Sequence, residues 1–488
     1  MKKRILLFSV FLCGASVMVL EIVGARILAP YVGTTITVWT SIIGVILGAM
    51  SLGYVFGGKL ADKNPKFEVL SLLIGFSGLS MAVLCLIRNY VFKTLMNMPF
   101  SNEVTALVIV IILFAIPSFL LATVSPYAIK LSLTSFENSG KTAGNIYALS
   151  TLGSITGTFL AGFFLIPMFG SITILYAVSV VLIILSFTVF FPKKCKKSAA
   201  ARILMLSVAL FSTFHNSGNS ALFPGVIAEV DTQYNNIKVI ENGNVRVMIT
   251  DKALSSARFL DSDELVLEYT KLYDLAMFFN PHVKRALILG GAGYSYPQHF
   301  INKYSDKALD VVEIDPKTTE LARKYFHLKD NPRMRIFHQD ARIFLNNNEI
   351  RYDVIFGDTF ASFTPPFQLI TKEANERIYE SLSDDGVYMV NMIDALEGIN
   401  SKLFSAYYHT LLQTFPRVLL FIPRREQSLT DIRNIAMVAL KNPKVEMISE
   451  NADTQNMLDK IYNGAPSETI ILTDDYAPVE FFKRGIPK

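Results

Sequence analysis

The stretch that decides the fold is Ala286-Leu287-Ile288-Leu289-Gly290-Gly291-Ala292-Gly293-Tyr294, which is followed by Val311-Val312-Glu313-Ile314-Asp315. The pattern predicts a buried strand, a glycine-rich turn, a helix and a second buried strand that ends in two carboxylates. Glycines let the backbone approach a ligand closely, and an acid about 20 residues further on can accept hydrogen bonds from ribose hydroxyls. The stretch therefore indicates an α/β sheet that binds a nucleotide-like ligand.

The composition divides the chain into an apolar half and a more polar half. The 488 residues are 51% hydrophobic and 18% charged, with a mean hydropathy of +0.38. That balance is too apolar for an ordinary soluble protein and too charged for a pure membrane protein. We expect a helical membrane bundle over residues 1–223, a small antiparallel β-sheet over 224–260 and a ligand-binding α/β domain over 261–488.

The apolar half predicts six membrane spans, since each segment is near the ~20 residues that a bilayer core requires. The segments lie at about 5–28, 37–57, 67–87, 104–124, 143–166 and 171–191. Segment 203–214 is shorter, and it is either a seventh span or a helix at the membrane surface. Inside the first segment, Glu21 and Arg26 indicate either a polar path or a lipid-headgroup site within the bundle. The alternative is a structural ion pair or an interfacial position at the helix end.

Basic clusters flank these segments, at Lys2-Lys3-Arg4 and in the run from Lys193 to Lys197. The positive-inside rule explains them better than nucleic-acid binding does, and it places both in the cytoplasm. Six spans in a cell (inner) membrane then leave the C-terminal domain in the cytoplasm, which we favour. Seven spans place it outside.

Cysteine and histidine spacing predicts neither a disulfide framework nor a metal site. The three cysteines Cys13, Cys85 and Cys195 are far apart, and the six histidines form no HxxxH or HExxH pattern.

The polar half alternates strands and helices, which predicts a largely parallel sheet. Asn242-Gly243 predicts a hairpin in the small sheet, and Asp261-Ser262-Asp263 is expected to cap a helix that ends near Phe279. The core strands are expected at Ala286–Leu289, Leu309–Glu313, Met334–Phe337, Val354–Phe356 and Val387–Asn391. Two later strands, about Val418–Ile422 and Ile435–Leu440, are expected to pair at the sheet edge.

Small or acidic groups follow four successive strands, and ligands bind at the carboxyl ends of such strands. They are the Gly290–Gly293 loop, Glu313, Asp340 and Asp358. Glu313 suits a ribose diol, Asp340 an adenine amine, and Asp358 an amine that loses a proton. The alternatives are helix caps for Asp340 and for the neighbouring Asp315, and a solvated turn for Asp358. The sequence near the loop contains no basic residue that could bind a phosphate, which favours an adenosyl sulfonium ligand over NAD or ATP.

Beyond these single positions, the C-terminal half resembles the spermidine synthases, which are polyamine aminopropyltransferases. The whole chain is similar to the membrane-fused members of that group. Three stretches carry that similarity: Glu21-Ile22-Val23-Gly24-Ala25-Arg26-Ile27-Leu28-Ala29-Pro30, Tyr147-Ala148-Leu149-Ser150-Thr151-Leu152-Gly153-Ser154 and Leu472-Thr473-Asp474-Asp475-Tyr476-Ala477-Pro478-Val479-Glu480. The resemblance implies a Rossmann-like domain of the class I methyltransferase type and a possible homodimer.

The resemblance also implies roles for individual residues. Decarboxylated S-adenosylmethionine is the implied co-substrate, and the acceptor is an amine or polyamine. Asp358 is the implied catalytic residue, which receives the proton of the attacking amine or orients that amine. The implied donor-binding residues are Gly290, Gly291, Gly293, Glu313, Asp340 and Asn235, and the implied acceptor-binding residues are Tyr269 and Tyr294.

Two acids of the family pattern are missing. Gly293 stands where the family has an aspartate that contacts the donor's amine, and Ala361 stands where it has an acid that helps to hold a diamine. Thr270 replaces the usual His or Gln. A site for a dication needs paired carboxylates, because desolvating two ammonium groups is costly.

Three functions remain open at this stage. The first is a membrane-anchored aminopropyltransferase, and the second is an S-adenosylmethionine-dependent methyltransferase on the same fold. The third is a non-catalytic sensor or transporter that binds a polyamine or an adenosyl ligand.

Overall fold

A computed structural model describes most of the chain as two compact units. The described residues are 2–33, 36–99, 102–133, 138–190, 205, 207, 225–251, 253–359, 365–424, 426–464, 466–467 and 469–483. The first unit comprises residues 1–224 and the segment Glu229–Asn236, and the second comprises Gly225–Ala228 and Ile237–Lys488. The three-part division expected from the sequence stays a prediction.

The first unit is helical. Its helices are α1 (Lys2–Val32), α2 (Ile36–Lys63), α3 (Phe67–Met96), α4 (Asn102–Ala122), α5 (Val124–Ser132), α6 (Ser139–Phe159), a π-helical turn (Leu160–Leu165), α7 (Ile166–Met168) and α8 (Ser171–Val189). Within the described ranges, six helical stretches are long and apolar enough to cross a membrane. The six long apolar helices expected from the sequence are therefore confirmed, whereas segment 203–214 lies outside the described residues apart from Met205 and Ser207.

Glycines let the helices of this unit pack at close range. A Cβ on Gly153 or Gly157 would collide with the backbone of Phe11 or Ala15 on α1, and one on Gly57 would collide with Thr123. Such small residues allow helix backbones to approach each other where apolar burial alone gives no preference. Ser179 adds a hydrogen bond across α3 and α8, since its hydroxyl donates to the Gly78 carbonyl at 2.7 Å.

The segment Glu229–Asn236 belongs to this first unit, and it contains a turn at residues 232–235. The guanidinium of Arg26 donates to the carbonyl oxygens of Thr232 and Tyr234. The Ser171 amide, at the start of α8, donates to Asp231 Oδ2 at 3.0 Å. Arg26 therefore satisfies backbone carbonyls of this turn.

Two sheets lie along the polar half. The small antiparallel sheet has the order β1-β2-β3-β4, with β1 (Val226–Asp231), β2 (Asn236–Asn242), β3 (Val245–Thr250) and β4 (Ala253–Phe259). Asn242 pairs with Val245 across the predicted hairpin, and Gly243 adopts a φ of 59°, which a two-residue turn requires. The expected small sheet is confirmed.

The main sheet has seven strands in the order β10-β11-β9-β8-β5-β6-β7. Its strands are β5 (Arg285–Leu289), β6 (Ala308–Val312), β7 (Met334–Phe337), β8 (Tyr352–Gly357), β9 (Leu382–Asp394), β10 (Arg417–Phe421) and β11 (Arg433–Leu440). The five strands from β5 to β9 run parallel, and β10 and β11 pair antiparallel at one edge. The chain therefore has the Rossmann-like fold of the methyltransferase type that the sequence predicted.

Helices cover this sheet and follow its strands. They are α9 (Glu268–Lys271), a 3₁₀ turn (Leu272–Asp274), α10 (Leu275–Phe279), α11 (Ser295–Lys303), α12 (Pro316–Tyr325), α13 (Ala341–Asn347), a 3₁₀ turn (Phe367–Leu369), α14 (Lys372–Glu380), a 3₁₀ turn (Ile399–Ser401), α15 (Lys402–Leu411), α16 (Ala452–Leu458) and α17 (Val479–Phe482). One hydrophobic core cluster of this unit includes Leu287, Ile355 and Val390 on β5, β8 and β9.

One predicted helix start is wrong. The helix expected to begin after Asp261-Ser262-Asp263 begins only at Glu268. Asp263 instead forms an ion pair with Arg258 at 2.5 Å, and Leu265 is buried in a bridge to Arg258 on β4. Burying Leu265 keeps this segment extended, and the capping signal does not decide its structure.

Candidate active site

The carboxyl ends of β5, β6 and β8 bring the predicted acids and glycines to one rim. Gly290 follows β5 with a φ of 97°, in the left-handed region that favours glycine. A Cβ at this position would lie 2.1 Å from the carbonyl oxygen of Asp358. The glycine therefore allows the loop after β5 to touch the backbone that follows β8.

Glu313 holds the glycine-rich loop from the neighbouring strand. Its Oε2 accepts hydrogen bonds from the amides of Gly291 and Ala292 at 2.9 and 3.0 Å, and its Oε1 accepts one from the Asp315 amide at 3.0 Å. Burial raises the pKa of Glu313, and these three N–H donors act in the opposite direction. The acid predicted to bind ribose is therefore also the residue that shapes the loop.

The third loop glycine, Gly293, is closely packed. A Cβ there would lie 2.6 Å from Ser256 Oγ and 2.9 Å from the Phe326 ring. Ser256 Oγ lies 2.9 Å from Ser295 Oγ, and Ser295 donates to the Ala257 carbonyl. Two serine hydroxyls therefore stand beside the position where the family pattern has a carboxylate.

Asp340 and Asp315 both cap helices, as the alternative interpretation of the sequence allowed. Asp340 Oδ1 accepts from the amides of Arg342 and Ile343 at 2.8 and 3.1 Å, at the start of α13. Asp315 Oδ1 accepts from the Lys317 amide at 2.9 Å. The capping bonds of Asp340 engage only Oδ1, so a role for its other oxygen in adenine binding stays a prediction.

Asp358 lies at the end of β8 and is half-buried beneath tyrosines. The Tyr269 hydroxyl donates to both carboxylate oxygens, at 3.1 and 3.3 Å. Burial raises the pKa of Asp358 to about 7, although hydrogen bonding from Tyr269 and Asn391 and the nearby Tyr273 hydroxyl favour the ionised form. A carboxyl with this pKa takes up and releases a proton near neutral pH, which is the property of a general base.

Tyr269 is a donor rather than a second base. Burial and the Asp358 charge raise its pKa well above the ordinary value of a phenol. The hydroxyl therefore keeps its proton at physiological pH and orients the Asp358 carboxylate. The structure brings these two predicted residues together.

Two predicted positions lie elsewhere. Tyr294 is fully buried, and its hydroxyl lies 2.8 Å from Thr319 Oγ1. Tyr294 has a φ of 57° and directly precedes α11. It is not among the residues that line the cavity at Asp358. Asn235 lies in the turn between β1 and β2, where its carbonyl accepts from the Thr232 amide at 2.9 Å. Its expected role in donor binding stays a prediction.

The structure adds residues that the motif search missed. Asn391 on β9 is 2% exposed, and its Oδ1 has no hydrogen-bond partner among the described residues. The buried hydroxyl of Tyr273 is also without such a partner. The sequence could have indicated Asn391, because it is the one amide side chain in the otherwise apolar run Val387-Tyr388-Met389-Val390-Asn391-Met392. Tyr273 follows Tyr269 by one helical turn, and such a spacing is more often a core feature.

A cavity lies in front of Asp358. Its wall combines apolar residues, hydroxyl groups and the backbone of the glycine loop. The lining residues are Ser255, Ser256, Ala257, Leu265, Val266, Leu267, Tyr269, Thr270, Ile288, Gly290, Gly291, Ala292, Ser295, Tyr296, Pro297 and Asp358. The described residues hold no cluster of three or more His, Cys, Asp or Glu that suits a metal ion. The site thus joins a glycine-rich loop to a half-buried carboxylate whose pKa is raised to about 7.

Comparison with known protein families agrees with this geometry. Residues 265–421, which include β5 to β10 and Asp358, match the model described as "Spermine/spermidine synthase domain". The chain contains a spermine/spermidine synthase domain. This domain includes every predicted site residue except Asn235.

Curated relatives carry the name polyamine aminopropyltransferase. The one from Vibrio vulnificus (strain CMCP6) is 28% identical over 202 residues, which cover 39% of this chain and 66% of that protein. The one from Clostridium beijerinckii (strain ATCC 51743 / NCIMB 8052) is 31% identical over 132 residues, 26% of this chain and 46% of that protein. The chain therefore spans between about half and two thirds of the length of these relatives.

Part of the chain is also similar to solved structures. A probable spermidine synthase from Corynebacterium glutamicum ATCC 13032 has a TM-score of 0.43 and 21% identity, covering 49% of this chain and 88% of that one. Human methyltransferase-like protein 13 in complex with SAH has a TM-score of 0.33 and 19% identity, covering 44% of this chain and 99% of that one.

Proposed function

We propose that the protein is a membrane-anchored aminopropyltransferase. It transfers the aminopropyl group of decarboxylated S-adenosylmethionine to an amine. The observation that carries the proposal is the Asp358 carboxylate, whose pKa is raised to about 7 at the edge of a cavity beside the glycine loop. The family match over residues 265–421 supports the same reaction class.

The chain's own residues account for donor binding. The loop Gly290–Gly293 allows close backbone approach, and Glu313 stands at the end of β6 to accept ribose hydroxyls. Asp340, at the end of β7, has an oxygen beyond its capping bonds for the adenine amine. Holding the donor in a fixed orientation lowers the entropic part of the barrier to attack.

The chemical step needs one proton acceptor. The amine nitrogen attacks the aminopropyl carbon bonded to the sulfonium, the carbon–sulfur bond breaks, and its electron pair stays on sulfur in methylthioadenosine. The new carbon–nitrogen bond leaves a proton on nitrogen, which Asp358 accepts. Tyr269 orients the carboxylate through its hydroxyl, and such general-base assistance is typically worth 10²–10⁴ in rate.

A methyltransferase that uses S-adenosylmethionine remains the second candidate. The observation that favours it is Gly293, because the acid that contacts the donor's amine in the family pattern is absent and the space is filled by Ser256. A non-catalytic sensor is the third candidate and predicts binding without turnover. The six long apolar helices support anchoring in a lipid bilayer in each case.

Product analysis on the detergent-purified full chain separates these functions. Each donor, decarboxylated S-adenosylmethionine or S-adenosylmethionine, is supplied alone and with a panel of amines. We expect methylthioadenosine from the decarboxylated donor, and only in the presence of an amine. S-adenosylhomocysteine as the product makes the protein a methyltransferase, and donor binding with neither product makes it a sensor.

A further inference from the structure

The cavity before Asp358 has a charge balance that limits what it accepts. Asp358 is the one carboxylate among the described residues of the cavity wall, and Leu265, Val266 and Leu267 make part of that wall apolar. The segment 360–364, which follows Asp358 in the chain, contains no acid in its sequence. A bound aminopropyl donor already brings a sulfonium and an ammonium to this cavity.

A diamine adds a second ammonium, for which the described wall provides no carboxylate. Removing an unpaired ammonium from water costs several kcal/mol. Serine hydroxyls at Ser255, Ser256 and Ser295 accept hydrogen bonds but supply no charge. Building on the proposed function, we propose that the acceptor is a monoamine, with one reacting nitrogen on an uncharged body that is apolar or carries a hydroxyl.

Matched acceptors test this proposal. Methylthioadenosine formation from decarboxylated S-adenosylmethionine is measured with 1,4-diaminobutane, n-pentylamine and 4-aminobutan-1-ol, which are similar in length. We expect kcat/KM for at least one of the two monoamines to exceed that for the diamine tenfold or more. Equal or better use of the diamine overturns the monoamine proposal alone. Absence of methylthioadenosine with every amine overturns the proposed function and this proposal with it.

A wall substitution gives a second, independent readout. Ser255 lines the cavity and is half-buried, so Ser255→Asp adds a carboxylate where the proposal says that one is missing. We expect the ratio of kcat/KM for the diamine to that for the monoamine to rise about tenfold. Ser255→Asn is the neutral control of similar size, and an equal rise in that variant contradicts the charge argument.

Discussion

At the scale of single residues, Asp358 is the position on which the proposed chemistry depends. The sequence allowed a solvated turn or a group that accepts a proton from an amine. The structure places its carboxylate under Tyr269 with its pKa raised to about 7 by burial. Strand order predicted that Asp358 lies at the rim, whereas Tyr269, Tyr273 and Asn391 come from distant parts of the chain. Their effect on its pKa was therefore not predictable without the fold.

The pH dependence of kcat/KM follows from this pKa. Transfer needs the ionised carboxylate, so activity is expected to rise as the pH passes upwards through about 7 and to fall tenfold per unit below it. The same raised pKa means that the folded state binds the proton more tightly than the unfolded chain. The contribution of Asp358 to stability therefore falls as the pH rises from about 4 towards 7. A profile that is flat between pH 5.5 and 8 contradicts the assignment.

Removing the Tyr269 hydroxyl tests how Asp358 is positioned. In Tyr269→Phe the carboxylate loses a donor that favours its ionised form. We expect kcat to fall about 10- to 100-fold, or about 1.4–2.7 kcal/mol, and the apparent pKa of the pH–rate profile to move upwards. A purely structural role for the hydroxyl predicts lower stability with an unmoved profile, which a pH–rate series distinguishes.

At the scale of elements, the glycine loop and the end of β6 form one structure. Glu313 accepts hydrogen bonds from the amides of Gly291, Ala292 and Asp315, so the carboxylate that we propose for ribose recognition also shapes the loop. The sequence predicted the strand, the turn and the acid, because their spacing is local. The sequence did not predict these three hydrogen bonds, because they join residues that follow two neighbouring strands.

Glu313→Gln is expected to disrupt this loop. A glutamine amide turns one acceptor oxygen into a donor, which then faces a backbone N–H and leaves it unsatisfied at a cost of about 1–3 kcal/mol. We expect donor affinity to fall tenfold or more, measured by calorimetry, with a lower melting temperature. Glu320→Gln on the exposed face of α12 is the control, and an equal loss of affinity in that variant contradicts the specific role of Glu313.

The other elements also fall into those that local sequence predicted and those whose bounds depend on distant contacts. The bounds of the parallel strands β5 to β8 were predicted to within two residues, because each strand is a short apolar run between turn signals. The helix start after Asp263 was misplaced, because Arg258 and the burial of Leu265 override a local capping signal. Strand β9 extends to Asp394, beyond the predicted Asn391, since β11 pairs with it along that length.

At the scale of the whole molecule, the chain combines a bundle of long apolar helices with a spermine/spermidine synthase domain. Hydropathy alone predicted the six long apolar helices. The side of the membrane reached by the C-terminal half stays a prediction, because segment 203–214 lies outside the described residues apart from Met205 and Ser207. The sequence did not predict the hydrogen bonds of Arg26 to Thr232 and Tyr234 or of Ser171 to Asp231, because they join residues that are far apart in the chain.

The central claim is that Asp358 accepts the proton during aminopropyl transfer. The most direct test measures methylthioadenosine formation and donor binding side by side for the wild-type protein and for Asp358→Asn. The asparagine keeps the shape of the side chain but is not a proton acceptor. The account predicts a fall in kcat of about 10²–10⁴ with donor affinity within about threefold of wild type. Product formation at the wild-type rate by Asp358→Asn would contradict it.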